Sequence, residues 1–383
     1  MSANSLSPAE APINPTPAPQ KVRADLKHTI LSRLWKDKVC RAALIGLSML
    51  YFCALFADVL TPYAMEFNDA NVGNAPATLI HIHDDKGELC WPYVYQVRQE
   101  NDLATYRQTF KEIETTKYPI KLFVKGDSYN LLGLIPMDLH LFGVEPPARI
   151  YLLGADMNGR DNFSRLFFGA QKSLTIGFLG LFIAFPIGIL YGAIAGYVGG
   201  VADNLMMRFA EAVMSIPSFY LLIGLAAILP LGMSSSQRFA LITVILSFIG
   251  WPGLARVIRG MVLSIREEEF VQAAKSLGMS EIANIIRHVI PQTASYVVIA
   301  ATLQVPNFIL AESGLSLIGL GIQQPDASWG NMLKAAMDQP NELLTQPWLI
   351  APGFLIFFTI LCFNSIGDVL RDVLDPKLSG GRG

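Results

Sequence analysis

Charged residues are scarce in this chain. Asp, Glu, Lys and Arg make up 16% of its 383 residues, where an ordinary soluble domain carries about 25%. Apolar residues reach 52% and mean hydropathy is +0.40, so the composition is that of a membrane protein. With a net charge of −2 and no basic stripe interleaved with aromatics, nucleic acid is excluded as a partner. Cysteine is equally sparse. Cys40, Cys53, Cys90 and Cys362 form no CxxC, and all but Cys90 lie in or beside apolar runs. Neither a disulfide framework nor a zinc site is indicated, and the thiols read as structural. The chain also lacks GxxxxGK[ST], HExxH and GxSxG, so it offers no usual phosphate cradle, metalloprotease helix or hydrolase elbow. No catalytic residue is assigned. The one metal-like cluster, "HIHDD" from His81 to Asp85, is a lone HxH in a polar loop and does not amount to a metal site.

What is present is a series of long apolar runs. Residues 1–20 are rich in Pro, Ala and Ser and read as a disordered tail. Seven basic residues follow between Lys21 and Arg41, then an apolar run over 42–60. That run is longer than a signal-peptide core of about 7–15 residues and reads as an uncleaved first membrane helix, with 21–60 as one entry unit. Five further runs, at about 173–198, 210–230, 239–258, 294–320 and 348–370, reach the roughly 20 residues needed to cross a bilayer. The fold class expected is therefore an all-α polytopic membrane protein with six transmembrane helices. A five-helix core occupies 173–370, and 371–383 forms a tail.

Basic residues set the orientation. Arg259, Arg266, Lys275 and Arg287 lie between spans four and five, and Arg371, Lys377 and Arg382 follow span six. The loops 231–238 and 321–347 hold only Arg238 and Lys334. Both termini are expected in the cytoplasm, which places 61–172 outside it. Within that segment, about 66–150 reads as a small inserted lobe, α+β or β-rich, from short alternating stretches between turn signals.

The loop at 262–291 carries two amphipathic half-helices. Phe270, Ala273, Ala274 and Leu277 form one apolar stripe; Ile282, Ile285, Ile286 and Val289 form another. Gly278 sits where a left-handed helix end favours glycine, Ser280 and Glu281 suit the next helix start, and Pro291 is expected to end the pattern. Two readings stay open on physics alone: a hairpin lying on the membrane surface, or a docking element for a cytoplasmic partner. Glu267, Glu268, Glu269, Arg266 and Lys275 supply either a polar rim for such docking or a solvated face.

"QAAKSLG", nine residues and "HVIP" resemble the EAA motif of permease subunits of binding-protein-dependent ABC importers: EAA, three residues, Gly, nine residues, I-x-L-P. Gln272 replaces Glu, His288 stands where Ile is usual, and Ile290 replaces Leu. Further blocks resemble the C-type subunits of the oligopeptide, dipeptide and nickel branch, in order: "LLGADMNGRDNFSRLFFGAQKSLTIG", "AGYVGGVADNLMMR", "GWPGLARVIRG", "AESGLSLIGLGIQQPDASWGNML" and "FNSIGDVLRDVLDPKL". The match is weakest at 66–150.

The resemblance implies a subunit of the bacterial inner membrane. It would be paired with a second homologous permease, two cytoplasmic ATPase subunits and an extracytoplasmic solute-binding protein. ATP and magnesium would bind the ATPases, leaving this chain without a cofactor and without enzymatic activity of its own. Gln272, Ala273, Ala274, Gly278, Ile290 and Pro291 would form the ATPase-coupling loop. The implied cargo is short peptides, with oligosaccharides or nickel complexes as alternatives. Ionisable residues within spans are costly and so are functional candidates. Glu312 is either a pathway residue or a carboxylate tying two helices together, while Glu211, Asp368 and Asp372 lie near span ends. Pro217, Trp251 and Pro306 are candidates for shaping the pathway, with ordinary packing as the alternative. A rival class, an autonomous secondary transporter, predicts inverted repeats or several polar residues at mid-membrane. An intramembrane hydrolase would need a nucleophile–base pair within the spans.

Overall fold

The computed structural model describes residues 32–84, 86–101, 108–131, 133–230 and 232–374. The 1–20 segment, Lys21, Arg23, Lys27, Asp85, Lys377 and Arg382 lie outside them. Helix α1 (Lys38–Leu55) starts where the Asp37 carboxylate accepts from the Cys40 amide at 2.8 Å. Helix α2 (Asn162–Val198) is capped by Asp161, which accepts from Ser164 N at 2.9 Å and from Phe163 N at 3.3 Å. Burial pushes the Asp161 carboxyl up to about 6, against the opposing pull of those bonds. The cap places the start of α2 well before the apolar run at 173.

Next come α3 (Gly200–Ser215), α4 (Ser218–Ala227), α5 (Ser235–Ile265), α6 (Glu269–Ser276), α7 (Ala294–Leu317), α8 (Trp329–Met337) and α9 (Ala351–Leu374). Among the described residues, five helical stretches are long and apolar enough to cross a membrane. The expected span at 210–230 is not one straight helix. Helices α3 and α4 meet at an 80° bend around Ile216–Pro217, and only as a pair do they make a sixth span. Proline at 217 removes a donor and fixes φ, so the backbone turns there instead of continuing.

Helix α2 lies against α5 along a stripe of glycines. A Cβ at Gly188 would sit 2.9 Å from the Trp251 carbonyl and one at Gly196 2.7 Å from the Arg259 carbonyl; at Gly192 it would come closer still to the Ala255 carbonyl. Small residues four apart let membrane helices approach at backbone distance. Gly192→Ala is expected to cost about 1–3 kcal/mol by overpacking. Gly253→Ala, where a Cβ meets nothing within 4 Å, is expected to be neutral or stabilising by up to about 1 kcal/mol. Thermal midpoints of the two variants in detergent check the contrast; equal midpoints would mean the helices do not touch along this stripe.

The inserted lobe takes the β-rich form of the two expected. Strands β1 (His81–His83), β2 (Leu89–Asn101) and β3 (Gln108–Pro119) make an antiparallel sheet in that order, and β4 (Lys121–Leu131) pairs with β5 (Ile135–Gly143) in a separate hairpin. Tyr63, Val72, Ile150 and Tyr151 form its base. Buried His140 bridges the Thr61 carbonyl (2.7 Å) and the Asp127 carbonyl (3.1 Å). The Gln346 amide donates to the Asn74 carbonyl at 3.2 Å, which ties the lobe to the loop before α9. The lobe caps one end of the bundle, and the 267–291 hairpin projects from the other.

Candidate functional site

The hairpin is built from local chemistry. Helix α6 ends in a left-handed residue, Gly278, with φ +82. Met279 N donates to the Ala274 carbonyl at 3.1 Å and Gly278 N to the Lys275 carbonyl at 3.0 Å, the paired bonds of a glycine-terminated helix. Ser280 then caps the next turn, accepting from Ala283 N at 3.4 Å. The expectation that Pro291 ends the pattern is corrected: winding continues from α-helix (Glu281–Asn284) through a π turn (Ile285–Val289) and a 3-10 turn (Ile290–Thr293) into α7. Pro291 lies at the start of the 3-10 turn, where a missing amide hydrogen is tolerated.

The apolar stripes divide differently from the spacing-based expectation. Val271 and Ala274 from the first half, with Ile285 and Val289 from the second, are buried; Val271, Ile285 and Val289 pack with Ala193, Ile258 and Val262 of α2 and α5. Phe270, Ala273, Leu277, Ile282 and Ile286 face outward, with Leu277 88% and Ile282 72% exposed. The hairpin is therefore apolar on two sides, one for its own chain and one free. Beside it, Met261, Ile265, Glu268, Phe270 and Gln292 line an open cleft of about 600 Å³.

Polar bonds fasten the hairpin to the helix ends. Asn284, fully buried, donates to the Tyr197 hydroxyl at 3.0 Å and to the Val271 carbonyl at 3.1 Å. Arg266 donates to the Gly196 carbonyl at 3.0 Å and pairs with Glu267 at 2.9 Å. Arg259 of α5 forms a forked ion pair with buried Asp203 of α3, its Nε donating to Oδ1 at 2.9 Å. The hairpin is thus joined by hydrogen bonds and apolar packing to α2 and α5. Spacing arguments passed over Asn284; its signal is a polar residue inside an otherwise apolar stripe.

Of the coupling residues named from sequence, Gln272, Ala273, Ala274 and Gly278 lie together on α6 and its end, while half-buried Ile290 and exposed Pro291 lie at the hairpin's far end. The Gln272 side-chain amide donates to the Arg266 carbonyl at 2.8 Å. A glutamate carboxylate has no hydrogen to give there.

The pathway candidates are scattered. Glu312 is fully enclosed: Ser316 donates to it at 2.6 Å, Ser173 at 3.3 Å and Ser313 at 3.4 Å. Ser173 also accepts from the Trp329 amide at 3.1 Å, so the carboxylate joins α2, α7 and α8. That is the helix-tying arrangement. Pro306 is buried within α7, Trp251 packs on Tyr191 and Phe209, and Pro217 is exposed at the α3–α4 bend. Glu211 is exposed and pairs with Arg208 at 3.1 Å. Among the described residues, no group of three or more His, Cys, Asp or Glu is placed to hold a metal ion.

Residues 188–380 match the family described as "Binding-protein-dependent transport system inner membrane component". The chain belongs to this family. The match starts within α2 and takes in the hairpin and every later membrane helix. The permease is 42% identical over 242 residues to the oligopeptide transport system permease protein OppC of Haemophilus influenzae, covering 63% of this chain and 75% of that one. It is 41% identical over 235 residues to the dipeptide transport system permease protein DppC of Bacillus subtilis, covering 61% and 71%. The DppC of Alkalihalophilus pseudofirmus is 34% identical over 290 residues, covering 73% of this chain and 92% of the relative. The permease is thus a multi-pass membrane component of a transport system, homologous to OppC- and DppC-type proteins.

Proposed function

We propose that this permease is one of two membrane subunits of an ABC importer that moves short peptides into the cell. In this reading the 267–291 hairpin seats in a cleft of a cytoplasmic ATPase subunit, and the β-lobe faces the solute-binding protein outside. The observation that carries the reading is the hairpin's second apolar face. Leu277 and Ile282 are the most exposed large apolar side chains of the hairpin, at the end of the bundle opposite the lobe. Each stabilises a complex by about 1.5–3 kcal/mol when fully buried, and the rigid anchoring at Asn284, Arg266 and Gly196 turns ATPase closure into movement of the helices. The names of the relatives, two dipeptide and one oligopeptide system, favour peptide as cargo.

Uptake of a radiolabelled tripeptide by a deletion strain complemented with the permease tests the cargo. Competition by unlabelled peptides alone is the expected result. Competition by nickel or by an oligosaccharide would transfer the same architecture to another solute.

A further inference from the structure

Two carboxamides stand unpaired at membrane depth. Gln304 and Asn307 lie three residues apart on α7, on one face of the helix. At about 1.5 Å per residue they lie roughly 15 and 20 Å along α7 from its start, well inside a hydrocarbon layer of about 30 Å. Asn307 is exposed and Gln304 half-buried, and neither has a hydrogen-bond partner among the described residues. The polar groups nearest them on α7 are satisfied: Thr302 donates to the Val298 carbonyl at 2.9 Å, and Ser313 and Ser316 donate to Glu312.

Both amides open into a cleft of about 530 Å³ between α4, α5 and α7, whose other walls include Phe219, Leu246, Gly250 and Ala311. The cleft lies beside the 80° bend at Ile216–Pro217. Irregular backbone at membrane depth is tolerated where it lines a cavity or is buried in protein. Lipid cannot satisfy an amide, so this face meets water, a solute or protein. A recess of this size suits a solute, whereas membrane helices that pack together present flat, small-residue faces.

We infer that Gln304 and Asn307 form a contact site for the main-chain amides of a peptide in transit. This rests on the peptide reading above. A carboxamide offers a donor pair and an acceptor, the complement of a peptide group, and it is uncharged, so it does not select for side-chain charge. The remaining apolar wall accommodates varied side chains. Among the described residues none that lines the cleft is charged, so binding stays weak enough for release.

The test uses the complete complex, both permeases with ATPases and binding protein, in proteoliposomes. Gln304→Leu/Asn307→Leu is expected to co-purify with its partners while tripeptide uptake falls roughly ten- to a hundredfold. In a chain whose four native cysteines are replaced by alanine, Asn307→Cys is expected to react with a hydrophilic methanethiosulfonate, and tripeptide is expected to slow that reaction. Wild-type uptake by the double variant would overturn the inference. So would an unreactive Asn307→Cys together with loss of the second permease from the double variant, which would assign the pair to the subunit interface. A wild-type complex that imports no tripeptide would bring down the peptide reading and this inference together; normal wild-type import with an indifferent variant brings down the inference alone.

Discussion

Gly278→Trp is expected to abolish transport while the chain still folds and inserts into the membrane. Gly278 has φ +82, and a Cβ built on it meets nothing within 4 Å. The first side-chain carbon therefore meets open space, and the backbone cost of a non-glycine residue in the left-handed region is about 1–2 kcal/mol. The indole adds bulk at the hairpin turn, next in the chain to exposed Leu277, where the ATPase is proposed to seat. Losing a central contact at an interface costs about 2–4 kcal/mol, or roughly 30- to 1,000-fold in association. Gly278→Ala shares the backbone cost without the bulk and separates the two effects. Uptake and co-purification of the ATPase are the readouts. Normal uptake by Gly278→Trp would remove the hairpin from the coupling mechanism.

Excision of the β-lobe is expected to impair peptide delivery more than basal ATP hydrolysis. The structure shows where to cut. Thr78 N donates to the Tyr151 carbonyl at 2.8 Å, and Tyr151 N donates to the Thr78 hydroxyl at 2.9 Å. The chain therefore leaves and re-enters the base side by side, and 80–148 can be replaced by a short flexible linker. Such a cut keeps Tyr63, Val72 and Tyr151 in the base and the bond from Gln346 to Asn74. If uptake falls at least tenfold while basal hydrolysis stays within about twofold, the lobe serves the binding protein. An equal loss of both would mark it as a folding element, with His140 and its bond to Thr61 as the contact whose loss matters.

The membrane spans were legible because each is a long apolar run, and the lobe because its polarity breaks them. Boundaries were less legible. Helix α2 begins at Asn162 rather than near 173 because Asp161 caps it and because Ser173, Arg165 and their neighbours are buried against the 320–331 segment, which apolar counting cannot register. A proline does not announce its effect: at 217 it accompanies an 80° bend, while Pro186, Pro252 and Pro306 sit inside continuous helices. At 291 a π turn and a 3-10 turn carry the winding through.

The hairpin's two half-helices and glycine turn could be read from spacing, yet the stripe was displaced. Periodicity picks the most hydrophobic face, here Phe270 and Leu277. The chain buries Val271 and Ala274 and leaves Phe270 and Leu277 exposed. Glu312 was ambiguous for a different reason: its partner Ser173 lies 139 residues away, and no local pattern distinguishes a helix tie from a pathway carboxylate. Gln304 and Asn307 carry no charge, so the cost of ionisable groups within spans does not single them out.

The most direct test of the central claim is a photo-crosslinking amino acid at Leu277, activated in native membranes, with the adduct identified by mass spectrometry. The account predicts a covalent adduct with an ATP-hydrolysing subunit that carries a phosphate-binding loop. Adducts with lipid alone would contradict it and make the hairpin a membrane-surface element.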